Sequence, residues 1–362
     1  MSKSVTITTI FFFAGVPNRG RDGQPKSLNL GGLRQYMSPQ AFRAAMRDQT
    51  VAPLADVANS KTVRSRVSLQ RRLLPALLDK GLDEEAAKAY ASAVAQVISG
   101  VDEDGAWSAP IVLGEHELDA IVRVGVSLLE DFGDAVEKAK DAKAGAKAIE
   151  KKMGVGLKKA IQNTAFAGTE AVVFGRMVTN PDLPRIDGAL ATSMALGVGP
   201  LQVAHDFFIA RDELTGSTEG AAHMGTKPLS SGTFVQENVV DLERLRRQLP
   251  EEDHAAIVEW IIRASALAPT QLARAGSTAP AGASEVIVTV AGASRSTMEA
   301  FMLPADIGTR EAAERALEAL QQIDRLYGSP DLRVTLTGSG SLDALASAIG
   351  DQVRTSEAAR AG

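Results

Sequence analysis

The chain opens on an unbroken run of β-formers, residues 4–13, reading Ser-Val-Thr-Ile-Thr-Thr-Ile-Phe-Phe-Phe. Such a run, without a charged residue, predicts a buried first strand. Lys3 ahead of an apolar stretch also suits an export signal. Thr6, Thr8 and Thr9, and the lack of a small-x-small site before Asn18-Arg19, favour the strand. Ser38-Pro39 predicts a helix start, Ser as N-cap and Pro in the first turn. Along that helix Phe42 and Met46 share an apolar face, while Gln40, Arg43 and Arg47 fall on a separate stripe. Residues 61–78 read as the next helical segment. There Lys61, Arg64, Arg71 and Arg72 share a stripe, and Val63, Val67, Leu74 and Leu78 face elsewhere.

Three Ala- and Lys-rich helices follow, over 83–99, 115–140 and 144–162, and read as an inserted helical subdomain. An apolar run over 168–178 ends in Phe174-Gly175-Arg176-Met177. Residues 187–195 suit a buried strand. Residues 196–226 turn Gly-rich and irregular around the cluster Phe207-Phe208-Ile209. Strands are predicted over 233–240, 285–291 and 331–338, with helices over 241–249, 252–268, 310–327 and 342–353. Few strands separated by helices predict an α+β fold, a ferredoxin-like sheet with large insertions.

A chain of 362 residues has room for two domains or one elaborated one. The absence of cysteine excludes disulfides, thiolate nucleophiles and Cys-ligated metals, and points to a reducing, cytoplasmic setting. The four histidines are never at i, i+4, and no apolar stretch reaches the length of a bilayer span. Net charge is −5, but it is unevenly placed. Between residues 17 and 74 eleven basic residues face three acidic ones, a net +8 that leaves −13 elsewhere. A basic strip on an acidic body suits a polyanion held in one groove; solvated surface charge is the plainer reading.

The catalytic motifs fail in turn. Residues 220–227 have P-loop glycine spacing, but Thr226 stands where Lys belongs and Lys227 where Ser or Thr belongs. Residues 102–105 lack an EF-hand pattern, and no G-x-S-x-G elbow or RRM stacking signature appears. Phosphate and shape contacts are therefore expected over base readout.

The motifs Asn18-Arg19, Gly31-Gly32 and Ser38-Pro39-Gln40, followed by a basic helix, resemble the opening of the CasC family. That family supplies the repeated backbone subunit of the type I-E CRISPR surveillance complex, Cascade. Phe174-Gly175-Arg176-Met177, Asp187-Gly188-Ala189, Ala222-His223-Met224-Gly225-Thr226 and Ser230-Ser231-Gly232-Thr233-Phe234 follow in the family's order. Arg21-Asp22-Gly23, Pro39 and Ala44 depart from its pattern. The resemblance implies an RRM-like palm over 1–54, 180–196 and 227–362, a helical fingers insertion over 55–179, and a β-hairpin thumb over 197–226. It implies no cofactor and no catalysis. The implied partners are the crRNA guide, the target DNA strand, neighbouring copies in a head-to-tail filament, and other Cascade subunits. Arg19, Lys26, Ser38, Gln40, Arg43 and Arg47 would hold guide phosphates, joined by Lys61 and Arg64 from the second stripe. Met177 would cap a displaced base, and Phe207, Phe208 and Ile209 would wedge into the guide–target duplex. The residues alone leave Met177 as core filler and Phe207-Phe208 as a core strand. A rival from another class is a metal-dependent ribonuclease using Asp22, in the loop after the first strand.

Overall fold

The computed structural model describes residues 3–15, 18, 20–48, 62–160, 167–178, 180–210, 223–250, 252–272, 282–337 and 340–361. In chain order the strands are β1 (Ser4–Gly15), β2 (Ser27–Asn29), β3 (Leu33–Met37), β4 (Thr62–Ser65), β5 (Ile111–Gly114), β6 (Leu190–Thr192), β7 (Ala195–Gly197), β8 (Ala204–Ala210), β9 (His223–Asp241), β10 (Glu285–Ala291) and β11 (Leu332–Thr337). The α-helices are α1 (Pro39–Arg47), α2 (Ser68–Leu78), α3 (Glu84–Ile98), α4 (Glu115–Ser127), α5 (Leu129–Glu137), α6 (Ala142–Ala160), α7 (Thr169–Phe174), α8 (Leu242–Gln248), α9 (His254–Leu272), α10 (Thr309–Tyr327) and α11 (Leu342–Ala361). The fold is α+β with an antiparallel sheet, as the pattern predicts.

The chain divides into two compact units. One comprises residues 1–53, 191–243 and 254–362, the other 54–190 and 244–253. The first holds a sheet in the order β11-β10-β1-β9-β7-β3-β2. Its central strand β1 is buried at every position except Phe12 and Ala14, because helices cover both faces. On one face Phe11 stacks on Phe234 of β9 and contacts Phe42 of α1. On the other, Ile10, Val235 and Ile287 pack with Ala312, Ala313, Ala316 and Leu320 of α10. Strand β9 runs 19 residues. Its second half pairs with β1, from Ser230 opposite Gly15 to Asp241 opposite Ser4. Among the described residues its first half pairs with β8 alone, from Leu229 opposite Ala204 to His223 opposite Ala210.

The second unit is helical, with β4 and β5 as a two-stranded sheet. Asp83 caps α3 through Ala86 N at 2.9 Å. Small residues let its helices approach closely: a Cβ on Gly145 of α6 would sit 3.1 Å from Ala93 of α3. Trp107 and Tyr90 fill the core and satisfy their polar tips, Trp107 Nε1 donating to Ala95 O and Tyr90 Oη to Gly125 O, each at 2.9 Å.

Several expectations are corrected here. The segment 115–140 is two helices, broken at Leu128. Residues 187–195 hold two short strands at most, β6 and the start of β7. The region 196–226 is not irregular throughout, since β8 lies in it. Residues 61–78 are not one helix, because Arg64 lies on β4 and α2 begins at Ser68. Among the described residues no helix is long and apolar enough to cross a membrane.

Candidate nucleic-acid interface

The loop after β1 is tied to the start of α1. Asn18 Oδ1 accepts from Ser38 N at 3.0 Å, Lys26 N donates to Asn18 O at 3.1 Å, and Tyr36 N donates to Lys26 O at 3.0 Å. Ser38 Oγ accepts from Ala41 N at 3.3 Å, the N-cap its position predicts. The turn between β2 and β3 depends on Gly31, with φ +65°, where a Cβ would meet Met302 O at 2.8 Å. These contacts gather Lys26, Ser38, Gln40, Arg43 and Arg47 on one stretch of the first unit. Phe42 and Met46 are fully buried and fix the helix rotation, so Gln40 is exposed while Arg43 and Arg47 are half-buried. Arg43 Nε donates to Thr192 Oγ1 at 3.0 Å, and burial lowers its pKa from the ordinary guanidinium value. It remains a cation at neutral pH. Arg19 and Lys61 lie outside the described residues.

Not every basic residue of the strip is available. Arg34 is wholly buried, donating from Nε to Gly197 O at 2.8 Å and from Nη1 to Phe301 O at 2.5 Å. It ties the sheet to the 3-10 turn Met298–Phe301. In the second unit Arg64 pairs with Glu170 at 3.3 Å, and Arg72 with Asp119 at 2.8 Å and Glu115 at 3.4 Å. Arg66 pairs with Asp102. Arg64 and Arg72 of the second stripe therefore have acidic partners that the local sequence hides. Asp22 is exposed and Oδ1 accepts from Gln24 N at 3.1 Å, closing its own turn. Among the described residues no group of three or more His, Asp or Glu could hold a metal ion.

The motifs around Met177 fold together within the second unit. Arg176 and Ile186 form a backbone bridge at 2.9 and 3.1 Å. Gly188 is pressed against Gly175, where a Cβ would come 2.8 Å from the backbone nitrogen. The Arg176 guanidinium is buried, donating to the Glu117 carboxylate, to Pro184 O at 2.8 Å and to Val112 O at 3.3 Å. Met177, next along the chain, is 81% exposed, so it does not fill a core.

The β8–β9 hairpin decides the other ambiguity. Phe207, Phe208 and Ile209 are 60%, 39% and 53% exposed. They are not a core strand. Phe207 stands opposite Thr226 and Ile209 opposite Met224, so Phe207, Ile209 and Met224 form an apolar patch on one face. Met224 is 58% exposed, a member the sequence reading missed although it lies in a quoted motif. On the other face Phe208 stands opposite Gly225, and a Cβ there would come 2.9 Å from its ring. That ring covers the glycine.

Solved structures share the fold, among them the two that follow. A chain described as "CRISPR RNA-guided surveillance complex, pre-nicking" is 22% identical, with a TM-score of 0.70 over 97% of this chain and 99% of that one. A chain described as "CRISPR RNA-guided surveillance complex" is 20% identical, with a TM-score of 0.65 over the same shares. No curated protein matches the sequence. A family model described as CT1975-like protein matches residues 11–358. The chain belongs to that CT1975-like family.

Proposed function

We propose that this protein is a non-catalytic backbone subunit of a Cascade-type CRISPR surveillance complex, of type I-E by its motifs. Copies stack head to tail along a crRNA guide, each using the first unit's sheet as palm, the helical unit as fingers and the β8–β9 hairpin as thumb. Arg43, Arg47, Lys26 and Gln40, with Arg19, Ser38 and Lys61, hold guide phosphates, and Arg64 joins them by exchanging its Glu170 partner for a phosphate. Met177 caps a displaced base. Phe207, Phe208 and Ile209, with Met224, wedge into the guide–target duplex.

The observation that carries this reading is the hairpin. A soluble chain keeps three large apolar side chains, Phe207, Ile209 and Met224, on one solvent-facing ribbon surface. Such a surface marks a place where another molecule packs. Wedging exchanges base stacking for apolar contact with the unstacked bases. The likeness in fold to surveillance-complex chains and the basic face of α1 support the choice of partner. The test is sequencing of RNA that copurifies with the protein. CRISPR repeat-spacer transcripts are expected, and protein free of RNA, by its 260/280 nm absorbance, would overturn the reading.

A further inference from the structure

The antiparallel bridge between Arg176 and Ile186 builds a short ribbon within the helical unit, and its two faces differ. Arg176 and Ile186 are 5% and 3% exposed, and Val178 packs against the unit's core, so this face points inward. Side chains alternate along extended chain, which turns the next pair outward. Because Arg176 and Ile186 exchange both backbone hydrogen bonds, Met177 and Arg185 form the following non-hydrogen-bonded pair, with Cα atoms about 4.5 Å apart. Met177 is 81% exposed, and Arg185 beside it is exposed as well.

The ribbon is held from beneath. The buried Arg176 guanidinium donates to the Glu117 carboxylate, to Val112 O and, at 2.8 Å, to Pro184 O, the carbonyl immediately before Arg185. Gly175 and Gly188 are pressed together at one end, where a Cβ on either would come within 3.0 Å of backbone atoms of the other. Buried groups thus fix the backbone from which the two exposed side chains project.

Arg185 makes no hydrogen bond or ion pair among the described residues. The nearby Asp182 is engaged by Lys158 at 2.8 Å. Arg64, Arg66 and Arg72 of the same unit each pair with a carboxylate. Arg185 therefore differs from them in carrying an uncompensated cation, and it does so next to an exposed thioether.

That pairing selects the ligand's chemistry. A carboxylate on a protein partner would satisfy the cation and leave Met177 bare. A nucleotide splayed from a single strand satisfies both, with its base face against the polarizable Met177 side chain and its phosphate on the guanidinium fork. We infer that Arg185 holds the phosphate of the same nucleotide whose base Met177 covers. The ribbon is then a one-nucleotide grip on the helical unit, separate from the basic face of α1. The inference rests on the RNA-binding role proposed above, and it adds a residue to the Met177 contact.

The test measures binding of the full chain to oligoribonucleotides of unrelated sequence over a range of salt concentrations. Arg185→Ala should weaken binding by about tenfold per copy and reduce the salt slope by about 0.7. Arg185→Lys should restore the slope and only part of the affinity, because an ammonium lacks the bidentate fork. Met177→Ala should weaken binding with an unchanged slope, since no phosphate contact is lost. Both side chains act on one nucleotide, so the double variant should lose less than the product of the two single losses. Thermal melts of the RNA-free variants should match the parent, because both side chains are exposed. Parental affinity and slope in Arg185→Ala would overturn the assignment while leaving the backbone role intact. A lowered melt would make Arg185 a structural residue, and losses that simply multiply would place the two side chains on different nucleotides; either result overturns the shared grip. A parent chain that binds no RNA would defeat the backbone role and the grip with it.

Discussion

Replacing the hairpin aromatics separates a projecting thumb from a structural strand. A Phe truncated in a packed core costs roughly 3–5 kcal/mol, so a double replacement there would cost roughly 6–10 kcal/mol and unfold most domains. Phe207 keeps 60% of its surface in water and Phe208 39%. Scaling full burial of a Phe, about 1.5–3 kcal/mol, by the fraction withdrawn gives about 1 kcal/mol for Phe207 and about 1–2 for Phe208. Phe208 is expected to be the costlier because its ring covers Gly225. Much of either cost would be spent within the hairpin, as local fraying rather than global unfolding. Melts of the RNA-free single variants and of Phe207→Ala/Phe208→Ala should therefore fall only a few degrees below the parent. Assembly on RNA and pairing with the target strand should weaken sharply in the same double variant. Loss of more than about 5 kcal/mol in the free subunit would show that the pair is core. Unimpaired assembly with unimpaired stability would show that the exposed aromatics contact neither RNA nor a neighbour.

Three further outcomes follow from the same structure. Arg43→Ala and Arg47→Ala should weaken binding equally for unrelated guide sequences and reduce the salt slope by about 0.7 each; altered base preference with an intact slope would remove them from the phosphate contacts. Arg176→Ala leaves the Glu117 carboxylate buried and unpaired, so the helical unit should lose roughly 3–5 kcal/mol, measured by denaturant melts. Arg176→Met with Glu117→Leu should recover much of that loss, and equal damage from the double variant would refute the ion-pair account. Burial pushes the Tyr90 hydroxyl up to about 12. Its raised folded value means that its contribution is intact below about pH 10 and is lost as pH rises toward 12. Tyr90→Phe should cost about 1 kcal/mol at neutral pH but reduce this alkaline loss; an unchanged alkaline melt profile would contradict the assignment.

Local chemistry was enough to place many elements from the sequence. Ser38 and Pro39 fix the start of α1, and Asp83 the start of α3, because capping is settled within four residues. Strand β10 falls where its β-branched run predicts. The ordered motifs between residues 18 and 234 already resembled a CRISPR backbone family, and the aromatic cluster already stood in a Gly-rich excursion.

What a charge or an aromatic does was decided by partners distant in sequence. Arg34 belongs to the same basic strip as Arg43, yet β3 is an interior strand, and carbonyls 163 and 267 residues away claim its guanidinium. Arg64 and Arg72 read as free cations until folding brings Glu170 and Asp119 to them, 106 and 47 residues away. Phe11 and Phe207 each begin a short aromatic run on a strand, but β1 is covered on both faces while β8 has β9 as its partner and a solvent-facing surface. Hydrogen bonding along a strand is the same in a sheet interior and in a projecting ribbon. Only the layers packed above and below distinguish them, and those layers come from elsewhere in the chain.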